Sequence, residues 1–304
     1  MIETWNKTAV LGGDRRQLAA AAYLAARGHE VAVWGIDGET SAFGKAVRVL
    51  DWQSAIRGAG VILLPLPVSP DGVRIHTLGE HAESAELRFT HLLGSLTHEQ
   101  RIFAGRVQPN LKAAAEERAI SLTDYSENEL FQIRNARPTA EGAIEIALHE
   151  LPVTLAGTSA AVIGYGRIGR TLARLLSALE ANITVAARKS TDLAWIADAQ
   201  WTPLPIVASK GENSLCALAD CRVIFNTVPH WLFSREVLCS LRRDVVLIDL
   251  ASSPGGVDPQ AAAECGIRVI RALSLPGKCA PESAGEIIAQ TVLALMEREG
   301  VSPQ

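Results

Sequence analysis

The sequence predicts an α/β fold of two domains, each a parallel sheet flanked by helices, with a cleft between them. Three observations carry this expectation. Short apolar runs alternate with Ala- and Leu-rich helical patterns through both halves of the chain, an order that pairs strands in parallel through right-handed crossovers. The run VILLPLP at 61–67 is apolar without a break, as expected of a strand covered on both faces. A glycine-rich turn, GYGRIG at 164–169, follows an apolar run and opens a helical pattern about halfway along the chain. A length of 304 residues suits two domains.

In chain order, residues 8–12 are the first expected strand. Residues 16–27 follow as a helix, stopped by Gly28. Further strands are expected at 30–36 (EVAVWGI), at 61–67 and, in HLLGSL, at 91–96. Residues 109–118 read as a helix and 121–124 as a short strand. Residues 138–150, PTAEGAIEIALHE, read as one helix with Pro138 in its first turn, where the missing N–H costs nothing. Residues 159–164 open a second α/β unit, whose later strands are expected at 223–228, 245–251 and 267–272. The last helix starts near Ser283, which with Glu286 has capping-box spacing, and runs to about 298. The expected domains are a substrate-binding domain at 1–137, a bridging helix at 138–150, a nucleotide domain at 151–280 and a terminal helix at 281–304 packing back toward the first domain.

Composition narrows the function. Hydrophobic residues make up 48% and charged residues 20%, with a formal net charge of -4. No Lys/Arg-rich run stands out, so nucleic acid is not the expected partner. No apolar stretch is long enough to cross a bilayer, and the N-terminal MIETWNKTAVLGGD lacks the pattern of a secretion signal. A cytoplasmic location is therefore expected. Five cysteines, Cys216, Cys221, Cys239, Cys265 and Cys279, form no CxxC pair and have no clustered His nearby. They read as reduced thiols, and no metal site is expected.

The turn at 164–169 has the Gly164-x-Gly166-x-x-Gly169 spacing of a dinucleotide-binding, Rossmann-type loop. Gly164 permits the tight turn, Gly166 lets backbone approach the pyrophosphate, and Gly169 lets helix and strand pack closely. Tyr165, Arg167 and Ile168 complete the loop. The pyrophosphate would sit on the helix N-terminus, where free N–H groups and the dipole favour an anion. The following strand, ANITVAARKS, ends in Ala187, Arg188, Lys189 and Ser190, where an NAD site usually carries an acid. A guanidinium there would pair with the extra phosphate of NADP, so NADP is expected in preference to NAD. A solvated surface Arg-Lys pair is the alternative. Later strand ends line the same crevice: Asn226, Thr227, Val228 and Pro229 after one strand, Leu250, Ala251 and Ser252 after the next. Gly255-Gly256 would bring backbone close to a flat ring.

The first half opens with Gly12-Gly13-Asp14-Arg15-Arg16-Gln17. Asp14 and Gln17 replace the second and third glycines of a fingerprint and would obstruct a pyrophosphate. Asp37 reads as a loop carboxylate rather than a ribose acid. The loop instead offers Arg15, Arg16 and Gln17 at a helix N-terminus as a seat for a substrate carboxylate, and Asp14, Arg16 and Gln17 are expected among the substrate-binding residues. Ser69 and Ser95 are expected at strand ends as further substrate-binding residues. Thr139 and Glu141 are expected to face the cleft.

This layout resembles the formate/glycerate dehydrogenase-type two-domain plan. The acid–base pair of D-2-hydroxyacid dehydrogenases is missing, however. Ser253 stands near the position of their arginine, no His precedes the final helix, and His230 lies elsewhere. A hydroxyacid reaction is discounted. GxSxG, HExxH and Walker patterns are also absent.

Six stretches together resemble the A-type dipicolinate synthase subunits of spore-forming bacteria: AVLGGDRRQ at 9–17, NARPTAEGAIEIALHE at 135–150, AVIGYGRIGRTLAR at 161–174, NTVP at 226–229, IDLASSPGGVD at 248–258 and LPGKCAPESAGEII at 275–288. The segment at about 75–88 is least distinctive, and no role is carried onto it or onto Lys278. The resemblance implies an oxidoreductase in homo- and hetero-oligomers with the flavoprotein-like B-type subunit of the same synthase. It would act in the cytoplasm of a sporulating mother cell. The two would convert dihydrodipicolinate, or its hydroxylated precursor, to dipicolinate. Such a reaction is a hydride transfer to NADP plus loss of a proton, driven by gain of aromaticity. In this reading Glu141 is the proton acceptor, Thr139 orients a carboxylate and Ser252 hydrogen-bonds the ring. Two other readings stay open: a nucleotide-binding assembly subunit with the chemistry on its partner, and an unrelated NADP-dependent amino- or imino-acid reductase.

Overall fold

A computed structural model describes residues 6–77, 86–209 and 212–298. The chain divides into two compact units, Met1–Asn135 with Ala280–Gln304, and Ala136–Cys279. Both are built on six parallel strands with the same winding. Among the described residues no helix is long and apolar enough to cross a membrane.

The first unit runs β1 (Lys7–Leu11), α1 (Arg15–Ala26), β2 (Glu30–Trp34), β3 (Val47–Arg48), α2 (Trp52–Ile56), β4 (Val61–Leu63), α3 (Phe89–Ser95), β5 (Arg101–Ala104), α4 (Pro109–Glu116) and β6 (Ser121–Asp124). Its sheet order is β3-β2-β1-β4-β5-β6. Inner strands are buried on both faces, which explains their unbroken apolar sequences. Helix α5 (Glu129–Glu150) spans the boundary between the units.

The second unit runs β7 (Ser159–Ile163), α6 (Arg167–Ala178), β8 (Asn182–Ala187), α7 (Ser190–Asp198), β9 (Thr202–Pro205), a small hairpin of β10 (Ala208–Ser209) and β11 (Glu212–Asn213), then β12 (Val223–Asn226), α8 (Arg235–Ser240), β13 (Val246–Asp249), α9 (Pro259–Cys265), β14 (Arg268–Arg271) and α10 (Leu275–Cys279). Its sheet order is β14-β13-β12-β7-β8-β9. In both sheets the chain reverses direction after the third strand, so each has a switch point: β1/β4 in one, β7/β12 in the other.

Helix α6 buries Gly169, Leu172, Ala173 and Leu176, one stripe at helical spacing. The terminal helix α11 (Pro281–Arg298) rejoins the first unit. It lies so close to α1 that a Cβ on Gly285 would run into the Arg16 carbonyl and reach 2.6 Å from Ala19 Cβ.

Five expectations need correction. Residues 91–96 are not a strand: 91–95 lie within α3, Leu96 is its C-cap, and the next strand is β5. A short apolar run cannot be told from a buried helix turn by periodicity alone. The run 61–67 stops being a strand after Leu63 and bends through a cis Leu66–Pro67 bond. Pro138 lies inside a helix that begins at Glu129, not in its first turn. An interior proline usually ends a helix, which hid the upstream ELFQIRNAR segment. Helix α11 begins at Pro281, so Ser283 sits within the first turn and is not its cap. Finally, Cys239 on α8 and Cys265 on α9 form a disulfide with their Cα atoms 5.0 Å apart, while Cys216, Cys221 and Cys279 are free. Packing of α8 beside α9 brings together two cysteines that are 26 residues apart in sequence.

Because α1 and α11 meet backbone to side chain at Gly285, a Gly285→Ala change should destabilise the protein by about 1–3 kcal/mol through overpacking. Thermal unfolding followed by circular dichroism should show a lowered midpoint. An unchanged midpoint would mean that the two helices are not in this contact.

Candidate functional site

The carboxyl ends of the second sheet form one register row. Ala186, Ile163, Asn226, Asp249 and Arg271 stand side by side across β8, β7, β12, β13 and β14. The glycine loop lies directly past this row. Gly164 takes a φ of +99°, and a Cβ there would come 2.5 Å from Thr227 Oγ1 and 2.8 Å from Val228 Cγ2. The Thr227 hydroxyl is fixed in that place by donating to the Ile163 carbonyl at 2.8 Å. Gly169 is under the tightest constraint: a Cβ there would collide with the Gly164 carbonyl oxygen. Gly166 is the N-cap of α6, with no side chain capping the helix and open space where a Cβ would be. The three glycines therefore do three different things: one turns, one leaves room, one allows contact.

Around this opening Tyr165 is half-buried and Arg167 exposed, while Ile168 packs partly into the core. The Arg170 guanidinium donates to the Tyr165 carbonyl at 3.0 Å and lies 4.8 Å from its ring centre, which steadies the loop. One residue past β8, Arg188, Lys189 and Ser190 are all exposed. Among the described residues no carboxylate pairs with Arg188 or Lys189. An uncapped helix N-terminus with room at its glycine fits a diphosphate. Two unpaired cations one strand away fit a further phosphate.

The neighbouring strand ends are held by one buried network. Asn226 and Asp249 are both fully buried. Asn226 Nδ2 donates to Asp249 Oδ1 at 2.8 Å and to the Val228 carbonyl at 3.1 Å. Asp249 also accepts from the N–H groups of Ala251 and Gly256, each at 3.2 Å, and from the Arg271 guanidinium. The Leu250 N–H donates to the Asn226 carbonyl at 2.9 Å. Thr227 and Val228 remain half-exposed, and Pro229 and Ser252 are exposed. Ser252 stands at a turn closed by Gly255 N–H donating to its carbonyl at 2.8 Å, with a cis Ser253–Pro254 bond inside. Asp249 and Arg271 were missed at the level of sequence: an acid and a base 22 residues apart show no motif.

In the first unit the equivalent helix start is closed. Asp14 caps α1 by accepting from Arg16 N–H at 2.8 Å, while Gln17 Oε1 accepts from Asp14 N–H at 3.0 Å. The Arg16 side chain is almost fully buried. Its Nε and Nη2 bind Asp14, and Nη2 also donates to the Leu66 carbonyl at 2.6 Å. At the helix start expected to seat a substrate carboxylate, the Arg16 guanidinium is thus already paired with the loop's own Asp14. Gln17 Nε2 is turned to the buried Tyr125 hydroxyl without reaching hydrogen-bond geometry. Burial raises the Tyr125 pKa above its ordinary value. His76 also comes to this loop, its carbonyl accepting from Gly13 N–H at 2.7 Å. Its ring is half-buried, and burial lowers its pKa, with Asp14 opposing that shift. The bland sequence around His76 gave no sign of this placement.

Ser69 is fully buried and donates to Asp71 at 3.0 Å. The Arg74 and Val73 N–H groups hold the Asp71 carboxyl down at about 2. Ser95 corrects the expectation made for it. It ends α3 beside Gly58, Gly60 and Gln100, where strands begin, so it is not at a strand's carboxyl end. Asp37 is an exposed loop carboxylate 3.2 Å from Arg48.

On α5, Thr139 is half-buried. Glu141 is exposed and ion-paired with Arg137 at 2.6 Å. With Ile144, Leu148, Leu175 and Leu179 it lines a groove of about 410 Å³. Leu175 lies in the last turn of α6 and Leu179 is its C-cap, roughly 14 and 20 Å along the helix from Gly166 at 1.5 Å per residue. Within this unit Glu141 lies at the opposite end of α6 from the glycine loop.

A model of the N-terminal domain of the A-type dipicolinate synthase subunit matches residues 7–126. The A-type dipicolinate synthase subunit of Bacillus subtilis strain 168 is 32% identical over 293 residues, covering 96% of each chain. The crystal structure of its counterpart from Bacillus halodurans superposes with a TM-score of 0.84 at 29% identity, covering 96% of this chain and 98% of that one. A transhydrogenase structure from Sinorhizobium meliloti has a TM-score of 0.68 at 15% identity, covering 97% of this chain and 94% of that one, a likeness of fold alone.

Two outcomes follow from the geometry of these loops. Gly169→Ala should weaken nucleotide binding by about a hundredfold, since α6 must move off Gly164 and carry its N-terminus away; calorimetry with retained far-ultraviolet dichroism checks this. Arg16→Ala should cost about 3 kcal/mol of stability or more, because it strands Asp14 and the Leu66 carbonyl. Denaturant titration measures that loss.

Proposed function

This chain belongs to the family of A-type dipicolinate synthase subunits, and from that premise we propose that it is an NADP-dependent dehydrogenase. It oxidises dihydrodipicolinate, or its hydroxylated precursor after loss of water, to dipicolinate, in company with a second subunit. The names of its relatives, which make each of them one lettered subunit of a synthase, support both the product and the partner.

The observation that carries the cofactor reading is the exposed, unpaired Arg188 and Lys189 one residue past β8, beside an uncapped α6. The α6 N–H groups hold the diphosphate. Arg188, Lys189 and Ser190 take the ribose phosphate, with Arg188 as the bidentate partner. Asn226–Pro229, Leu250 and Ala251 flank the nicotinamide, and Ser252 is free to hydrogen-bond a ring substituent. NADP supplies the hydride acceptor when bound. The proton lost on aromatisation needs no strong base, because the ring gains aromatic stabilisation as it leaves.

One observation favours the second reading, a nucleotide-binding assembly subunit with the chemistry on its partner. Glu141, the expected proton acceptor, pairs with Arg137 at the far end of α6. Incubating the purified chain alone with NADP and freshly generated dihydrodipicolinate separates the two: formation of dipicolinate requires the dehydrogenase reading.

The cofactor assignment makes its own demand. Arg188→Ala should weaken NADP binding by about tenfold to a hundredfold, the worth of one charge-assisted phosphate contact, and leave NAD binding within about twofold. Equal losses for both nucleotides in a calorimetric titration would remove Arg188 from the phosphate site.

A further inference from the structure

The second sheet carries cations past β8 and at the end of β14, and the proposed cofactor uses only those past β8. Arg271 ends β14, in register with Asp249 of β13. Its Nη1 is bound by Asp249, which is fully buried, while the Arg271 side chain keeps 38% of its surface exposed. Among the described residues Nε and Nη2 of Arg271 have no partner. The guanidinium is therefore gripped along one edge and offers the other to solvent. The loop past β13 is shaped around it. A Cβ on Gly255, whose φ is +95°, would strike Nη1 and come 2.8 Å from Cζ. A glycine in the left-handed region is the residue that lets this loop close over an arginine.

Strand order separates this cation from the nucleotide. Arg188 follows β8, and four strand spacings of about 4.8 Å, roughly 19 Å, lie between β8 and β14. The glycine loop follows β7, and the Asn226–Pro229 turn follows β12. Arg271 stands two strands beyond that turn, past the end where the reacting ring would lie. The intervening Asp249 carries no net demand, since its oxygens already accept from Asn226, Ala251, Gly256 and Arg271.

We propose that Arg271 receives a carboxylate of the substrate and so selects for an acid group beside the reacting ring. This inference rests on the reading of the chain as a dehydrogenase of a pyridine-type dicarboxylate. The planar fork of N–H groups on its open edge suits a carboxylate. Asp249 acts as the positioning residue, fixing the guanidinium through Nη1.

The test is calorimetric titration of the full chain with dipicolinate at saturating NADP, for the wild type, Arg271→Gln and Arg271→Lys. The lysine variant keeps a cation for Asp249, so it reports on the site even if the glutamine variant does not fold. Dipicolinate affinity should fall about tenfold or more in Arg271→Lys, with NADP affinity unchanged. Equal dipicolinate affinity in wild type and Arg271→Lys would overturn the assignment of Arg271 alone. Weakened NADP with unchanged dipicolinate would make Arg271 a nucleotide contact and overturn it too. A wild type that binds NADP but no dipicolinate would remove the underlying reading, and the assignment with it.

Discussion

The contact between Gly169 and the Gly164 carbonyl is the constraint on which the second unit's site depends. Only a hydrogen can stand between the α6 backbone and the end of β7. That closeness lets α6 start immediately after the strand, so its first N–H groups open at the switch point of the sheet. Thr227 then locks β12 against β7 from the other side through the Ile163 carbonyl. Gly164 must be glycine because Thr227 and Val228 occupy the space beside it. Each feature of the opening follows from one backbone approach.

The first unit repeats the winding and reverses the outcome. Its α1 begins at the same place relative to β1, yet Asp14 and Gln17 satisfy the helix start from within. Arg16 then neutralises Asp14, and its Nη2 ties the pair to the Leu66 carbonyl. An anion arriving there would have to displace a carboxylate that is already hydrogen-bonded and charge-paired. Two folds with one topology thus differ at the helix start after the first strand, capped in one and uncapped in the other. The difference is made by side chains, not by strand order.

Most of the architecture was legible because its signals are local. Unbroken apolar runs marked the inner strands, and the three glycines marked the β7–α6 turn with a reason for each. Legibility failed where tertiary context decides. HLLGSL is helix in α3 because the strand pairing with β4 falls to the RIFA segment, Arg101–Ala104. Pro138 is accommodated in mid-helix, against the usual rule. Of the site, the turn geometry of the glycine loop was readable, but the pairing of Arg16 with Asp14 and of Glu141 with Arg137 was not. A charge on a helix start or face says nothing about the carboxylate or guanidinium that pairs with it. His76 and Arg271 carried no sequence signal, and Asp249 none beyond its place in IDLASSPGGVD, since their contacts reach residues distant along the chain.

The charges along the second sheet's edge argue for a ligand with two kinds of acid. Past β8 stand Arg188 and Lys189, without carboxylate partners among the described residues. Past β7 the helix start adds a partial positive charge, worth about half an elementary charge. The turn past β12 is neutral. At β13 the one acid, Asp249, is buried and answered by four donors. At β14 a guanidinium follows, half satisfied and half open. If Asp249 served only to neutralise Arg271, burying it completely would be a costly way to do so, since an apolar pair is often equally stable. An aspartate held by two backbone N–H groups and an asparagine is instead a rigid mount. A rigid mount matters for a group that must meet something arriving from solvent with defined orientation.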